Sequence, residues 1–105
     1  MKIINLTPHP IHILSDEGIV VRTIDSTGLA RLSASTVSVG DVDGIPLTRT
    51  VFGEPTGLPD AVEGTLLIVS QIIKSALPAR ADLVVPAGVQ RDKEGIIIGC
   101  RSLDI

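Results

Sequence analysis

Residues 66–101 read LLIVSQIIKSALPARADLVVPAGVQRDKEGIIIGCR. Thr65–Val69 is an apolar run of strand length. Ser70 follows and is placed to cap a short helix over Gln71–Leu77, because its hydroxyl can accept an early backbone N–H. Pro78 ends that helix by pushing the residue before it out of the α region. Leu83–Val85 is a second strand, and the roughly dozen residues between the two runs suffice for a parallel crossover. Val89–Gly95 is a charged hairpin tip and Ile96–Leu103 a last strand. One short helix among apolar runs of strand length predicts a β-rich α+β fold, a small mixed or antiparallel sheet or barrel-like domain. The apolar runs of this stretch are expected to form the core.

The first half of the chain is strand-like throughout. Lys2–Leu6 is a first strand, broken by Thr7-Pro8-His9-Pro10, since the two prolines fix φ and remove ladder donors. Ile11–Leu14 and Ile19–Ile24 flank the turn Ser15-Asp16-Glu17-Gly18 and predict a hairpin. Leu29–Val39 reads as one or two strands, with a helix over Leu29–Ala34 as the competing reading because its alternation is imperfect. Gly40–Gly44 is a loop and Ile45–Phe52 a strand. Gly53–Asp60, with two Pro and two Gly, reads as an irregular loop and a candidate flap.

The 105 residues suit one domain, residues 1–105. With 44% hydrophobic and 20% charged residues the chain has the makeup of a packed globule. No apolar run approaches the ~20 residues that span a bilayer, and MKIINLTPHP lacks the apolar stretch of a signal peptide. A cytoplasmic location is therefore expected, with no membrane partner. The lone cysteine, Cys100, excludes an intrachain disulfide and suits a reducing compartment. One Phe, with no Trp or Tyr, leaves the core to aliphatic side chains. A small aliphatic β-rich domain is expected to complete its burial in a homo-oligomer. A net charge of −3 and the lack of aromatic platforms argue against nucleic-acid binding.

Three groups of residues carry the candidate chemistry. His9 sits between two prolines that would fix its ring direction, and Asn5 and Thr7 can bond a ligand or orient the imidazole. Equally, Asn5 and Thr7 can satisfy turn backbone, with His12 on a solvent-facing strand. Ser70, Arg80 and Asp82 form the second group. Ser70 marks a strand-to-helix junction that favours anions, and Arg80 can clamp phosphate or carboxylate. The structural reading is a cap at Ser70 and a surface pair of Arg80 with Asp82 or Asp60. Arg101, beside Cys100 within the last strand, needs a partner and belongs to the third, cationic group. Two His and one Cys make no zinc signature, so no metal is expected. No Walker loop or GxGxxG is present, and no cofactor is expected. A Cys100 nucleophile paired with His9 is formally available, but a cysteine after three isoleucines reads as a small hydrophobe.

The opening KIINLTPHPIHIL, the central IVSQIIKSALPARADLVVP and the closing EGIIIGCRSL resemble a group of small proteins encoded by phages and prophages. The resemblance touches both ends and the middle of the chain. It implies an accessory phage protein and no specific activity. Small phage proteins that counter bacterial immunity often form symmetric oligomers whose interfaces hold nucleotide-derived signals. By that analogy the chain is expected to sequester a small anionic nucleotide-like ligand at a homo-oligomer site, using Asn5, Thr7, His9, Ser70, Arg80, Asp82 and Arg101. Context does not fix function. The alternatives are a small hydrolase or lyase with His9 as general acid/base, and a protein-interaction module using Phe52 and the loop that follows it.

Overall fold

The computed structural model describes residues 2–105. In chain order the elements are β1 Lys2–Asn5, β2 Ile11–Leu14, β3 Val20–Ile24, β4 Arg31–Val42, β5 Ile45–Thr56, β6 Thr65–Ile68, α1 Gln71–Ala76, β7 Leu83–Ala87, β8 Gln90–Arg91, β9 Ile97–Gly99 and β10 Ser102–Asp104. The fold is β-rich α+β with one short helix, as the sequence predicts. Its sheets are small and either mixed or antiparallel, and among the described residues they do not close into a barrel.

The centre is a four-stranded sheet in the order β1-β6-β7-β10. β6 pairs in parallel with both β1 and β7, and β10 closes the edge antiparallel to β7. The β6-α1-β7 crossover therefore forms as the spacing requires. Alternate residues of these strands enter two cores. Leu67, Val69, Leu83 and Val85 face α1, where Ile73, Leu6 and Ala30 meet them. Ile68 and Val84 face the β2–β3 hairpin and pack against Ile24, with Ile3, Ile11 and Ile13 around them. A short sheet buried on both faces reads as a continuous apolar run, which is what TLLIV and LVV are.

α1 starts where Ser70 stops being extended (φ −69°, ψ 157°) and its hydroxyl accepts the Ile73 N–H. It ends at Leu77, before Pro78. A second layer forms as β2 pairs antiparallel with β3. The β8–β9 hairpin then joins β2 through a parallel bridge between Ile13 and Cys100.

The stretch 29–39 is strand from Arg31 onward, the first of its two readings. Four sequence expectations need correction. β4 runs on to Val42, so the loop 40–44 shrinks to a two-residue turn in which Asp43 (φ 52°) and Gly44 (φ 77°) both take the left-handed conformation of a hairpin turn. The supposed flap 53–60 is strand as far as Thr56. The single strand Ile96–Leu103 is two, β9 and β10, separated by a bend at Arg101. Its three isoleucines are exposed rather than core.

β4 and β5 pair with each other alone and form a long ribbon that leaves the body. Leu32 anchors its base in the α1-side core. Gly57 holds the exit, because at φ 72° an added Cβ would run into the Leu29 carbonyl.

Ile68 is fully buried between layers. Ile68→Ala should lower stability by about 2–5 kcal/mol in urea melts. Ile72→Ala, on the exposed face of α1, should leave the midpoint nearly unchanged.

Candidate functional site

The turn that follows β1 is fixed by one side chain. Asn5 is completely buried (0% exposed). Its amide nitrogen donates to the carbonyls of His9 (2.8 Å) and Ile24 (3.0 Å). Its oxygen accepts from the Thr7 N–H (2.9 Å) and the Thr7 hydroxyl (2.6 Å). Ser26 completes the arrangement by donating to the Thr7 carbonyl at 2.6 Å. Asn5 and Thr7 thus shape the backbone on which His9 stands, and the His9 ring itself remains exposed.

That turn is one wall of a groove of about 400 Å³. The turn and β2 contribute Thr7, His9, Pro10, Ile11 and His12 to its lining, and β7 and the hairpin that follows contribute Pro86, Val89, Ile97, Ile98, Gly99 and Cys100. The floor is tightly set. Cys100 N–H donates to the His12 carbonyl (2.9 Å), and Leu14 N–H to the Cys100 carbonyl (2.8 Å). Gly99 passes so close to β2 that an added Cβ would sit 2.7 Å from the His12 carbonyl. Only glycine allows that approach. His12 Nδ1 shares a 2.9 Å hydrogen bond with the Thr23 hydroxyl, which orients the ring and leaves Nε2 to other partners. Burial pushes the Cys100 thiol up, so it stays a neutral thiol rather than a nucleophilic thiolate.

The remaining residues singled out in the sequence lie elsewhere. Ser70 leaves β6 at the same end of the sheet as Thr7, but its hydroxyl is engaged by the Ile73 N–H. Arg80 and Asp82 precede β7, at the opposite end of the parallel strands. They form a bidentate ion pair, with Nε and Nη2 each 2.8 Å from a carboxylate oxygen, and Nη2 also donates to the Pro59 carbonyl at 2.9 Å. Arg80 thereby ties the loop after β5 to the start of β7. Its guanidinium is raised chiefly by the Asp82 hydrogen bond. Arg101 donates to the Asp16 carbonyl at 3.2 Å and does not line the groove. The structure therefore brings Asn5, Thr7 and His9 together, and separates Arg80 and Asp82 from them by the length of a strand.

The groove walls Pro10, Pro86, Val89, Ile97 and Ile98 escaped sequence reasoning. Their one signal was Ile-Ile-Ile beside a polar hairpin, which is equally a core pattern. Among the described residues no group of His, Cys, Asp and Glu is arranged to hold a metal ion. No helix among them is long and apolar enough to cross a membrane. No protein-family model matches the chain, and no curated protein or solved structure matches it either.

Two outcomes follow from these contacts. Asn5→Asp removes both donors and sets a carboxylate against two carbonyl oxygens, so it should cost about 3 kcal/mol or more of stability in urea melts. The Asp82 carboxyl is held below its ordinary value of 3.8, first by the Arg80 hydrogen bond, with burial opposing. A depressed carboxyl contributes stability that is present above its unfolded value and lost as pH falls through the folded one. The stability gap between the wild type and Asp82→Asn should therefore narrow as melts are moved from about pH 6 to about pH 3.

Proposed function

We propose that the protein is a capture module, an accessory protein of the phage type that binds a small anionic nucleotide-derived ligand without converting it. The observation that supports this is the groove beside His9. Its volume of about 400 Å³ lies within the range of small-molecule sites, and its walls are mostly apolar with a few convergent polar groups. Proline and isoleucine walls suit the face of a flat heterocycle. Thr7, His9 and His12 supply hydroxyl and imidazole groups that can bond the ligand's polar edge. Asn5 acts behind them, as the residue that sets the turn.

Capture fits the chemistry of the groove better than turnover does. The Cys100 thiol is buried and burial pushes it up, so it offers no thiolate nucleophile. Arg80 and Arg101 lie outside the groove, so His9 and His12 are the basic side chains that line it. Holding a ligand needs only the fixed walls and the two imidazoles.

A thermal-shift and calorimetry screen with cyclic dinucleotides and ADP-ribose derivatives tests the reading. A true ligand at a hundredfold excess over its Kd adds about 2.7 kcal/mol, which raises Tm by on the order of 10 °C in a domain of this size. Chromatography after heat release should return it intact. Ile98→Glu should abolish the shift and His9→Ala should weaken it. The reading fails if no compound of either class stabilises the protein, and recovery of a cleaved product would replace capture with catalysis.

A further inference from the structure

The β4–β5 ribbon is the least covered part of the molecule: every residue from 33 to 54 is exposed. Its pairing divides those residues into two unlike faces. Val42 opposes Ile45, Gly40 opposes Leu47, Val37 opposes Arg49, and Ser35 opposes Val51. Side chains directly opposite each other share a face. One face therefore carries Val37, Val42, Ile45, Leu47 and Val51, with Arg49 its only charge. The other pairs Thr36 with Thr50 and Ser38 with Thr48, with Ala34 and Phe52 at its base. This is the pattern of a sheet half-buried on one side, yet the five aliphatic side chains stand 42–64% exposed.

We propose that this aliphatic face is an interface covered by a second copy of the same chain. The molecule as a whole has surface to bury. A compact monomer of 11.0 kDa exposes roughly 5,600 Å², whereas this chain exposes 7208 Å². The excess over the whole molecule, on the order of 1,600 Å², is more than the ~800 Å² that each partner contributes to a standard interface, and the arm, exposed throughout residues 33–54, is its least covered part. The shape agrees, with a radius of gyration of 16.9 Å where about 13 Å is usual for this length. A two-stranded ribbon standing alone in water is marginally stable at best, so the arm needs something packed on it.

The face also limits what that partner is. It carries one cation and no acid, so it has no charge pattern for recognising a strongly charged partner. Lipid is unsuitable, because both outer edges of the ribbon leave backbone groups unpaired, and these cannot be satisfied in hydrocarbon. An aliphatic face of this kind is complementary to apolar surface on another copy, which a two-fold axis would present twice over. The inference is independent of ligand capture and stands or falls separately from it.

Sedimentation and native mass measurement of the full chain decide it. The wild type should run at a multiple of 11.0 kDa at tens of micromolar. Val37→Lys combined with Leu47→Lys should reduce the mass to that of one chain, whereas Thr36→Lys with Thr50→Lys on the opposite face should leave it unchanged. Hydrogen exchange on the wild type provides a readout that needs no variant. Arm amides 35–51 should lose protection on dilution to the dissociated state. A monomeric wild type would overturn the proposal and point to a foreign partner. So would an assembly that survives the aliphatic-face variant, or one that both variants dissolve equally.

Discussion

The buried amide of Asn5 is the constraint on which the functional half of the molecule depends. It sits where β1 ends, yet its four hydrogen bonds reach the Thr7–His9 turn and the end of β3. No other residue type fits easily. Aspartate lacks the donors, glutamine has an extra methylene in a site with no room, and an apolar side chain would leave two backbone carbonyls and an N–H without their partner. Because the network is complete, the turn is rigid without secondary structure of its own. The groove inherits that rigidity on the His9 side and takes its other wall from the β8–β9 hairpin, pinned to β2 through Cys100.

The fold divides its apolar residues unevenly. The central sheet buries both faces, and its strands form the two cores described by Ile68 and Val84 on one side and Leu67 and Leu83 on the other. Other aliphatic residues remain at the surface, on the arm, around Ile96–Ile98, at Ile19–Val21 and at Ile72. A chain with one aromatic residue has few ways to build a large core, and here many of the surplus aliphatics stay exposed. Polar groups, by contrast, are carefully satisfied: among the described residues no buried side-chain nitrogen or oxygen lacks a hydrogen bond.

Much of the central sheet was legible because β6 and β7 carry unbroken apolar runs and the helix between them has a recognisable cap and stop. The β2–β3 hairpin was legible from its turn. The Leu29–Val39 region was ambiguous because its bulges, after Leu32 and after Ser38, break the strict alternation that marks a strand. The site was half legible. Asn5, Thr7 and His9 are local to one turn, so sequence proximity found them. Arg80 was drawn toward that turn on the expectation that cations gather at a site, but a parallel strand carries its start and its finish to opposite ends of the sheet. Ile97 and Ile98 were hidden because hydropathy does not distinguish a groove wall from a core.

The parallel pairing of β1 with β6 also bears on the order in which the chain folds. Lys2 lies beside Thr65, so β1 meets its partner only across the whole of β2 to β5. Closing a loop of that length carries an entropic cost of about 3–4 kcal/mol. The two early hairpins face no such delay, since their strands are neighbours in sequence. Asn5 stands at the boundary between the two regimes: its four side-chain hydrogen bonds go to residues between Thr7 and Ile24, which lie close in sequence, while the strand it ends is completed only when β6 pairs with it.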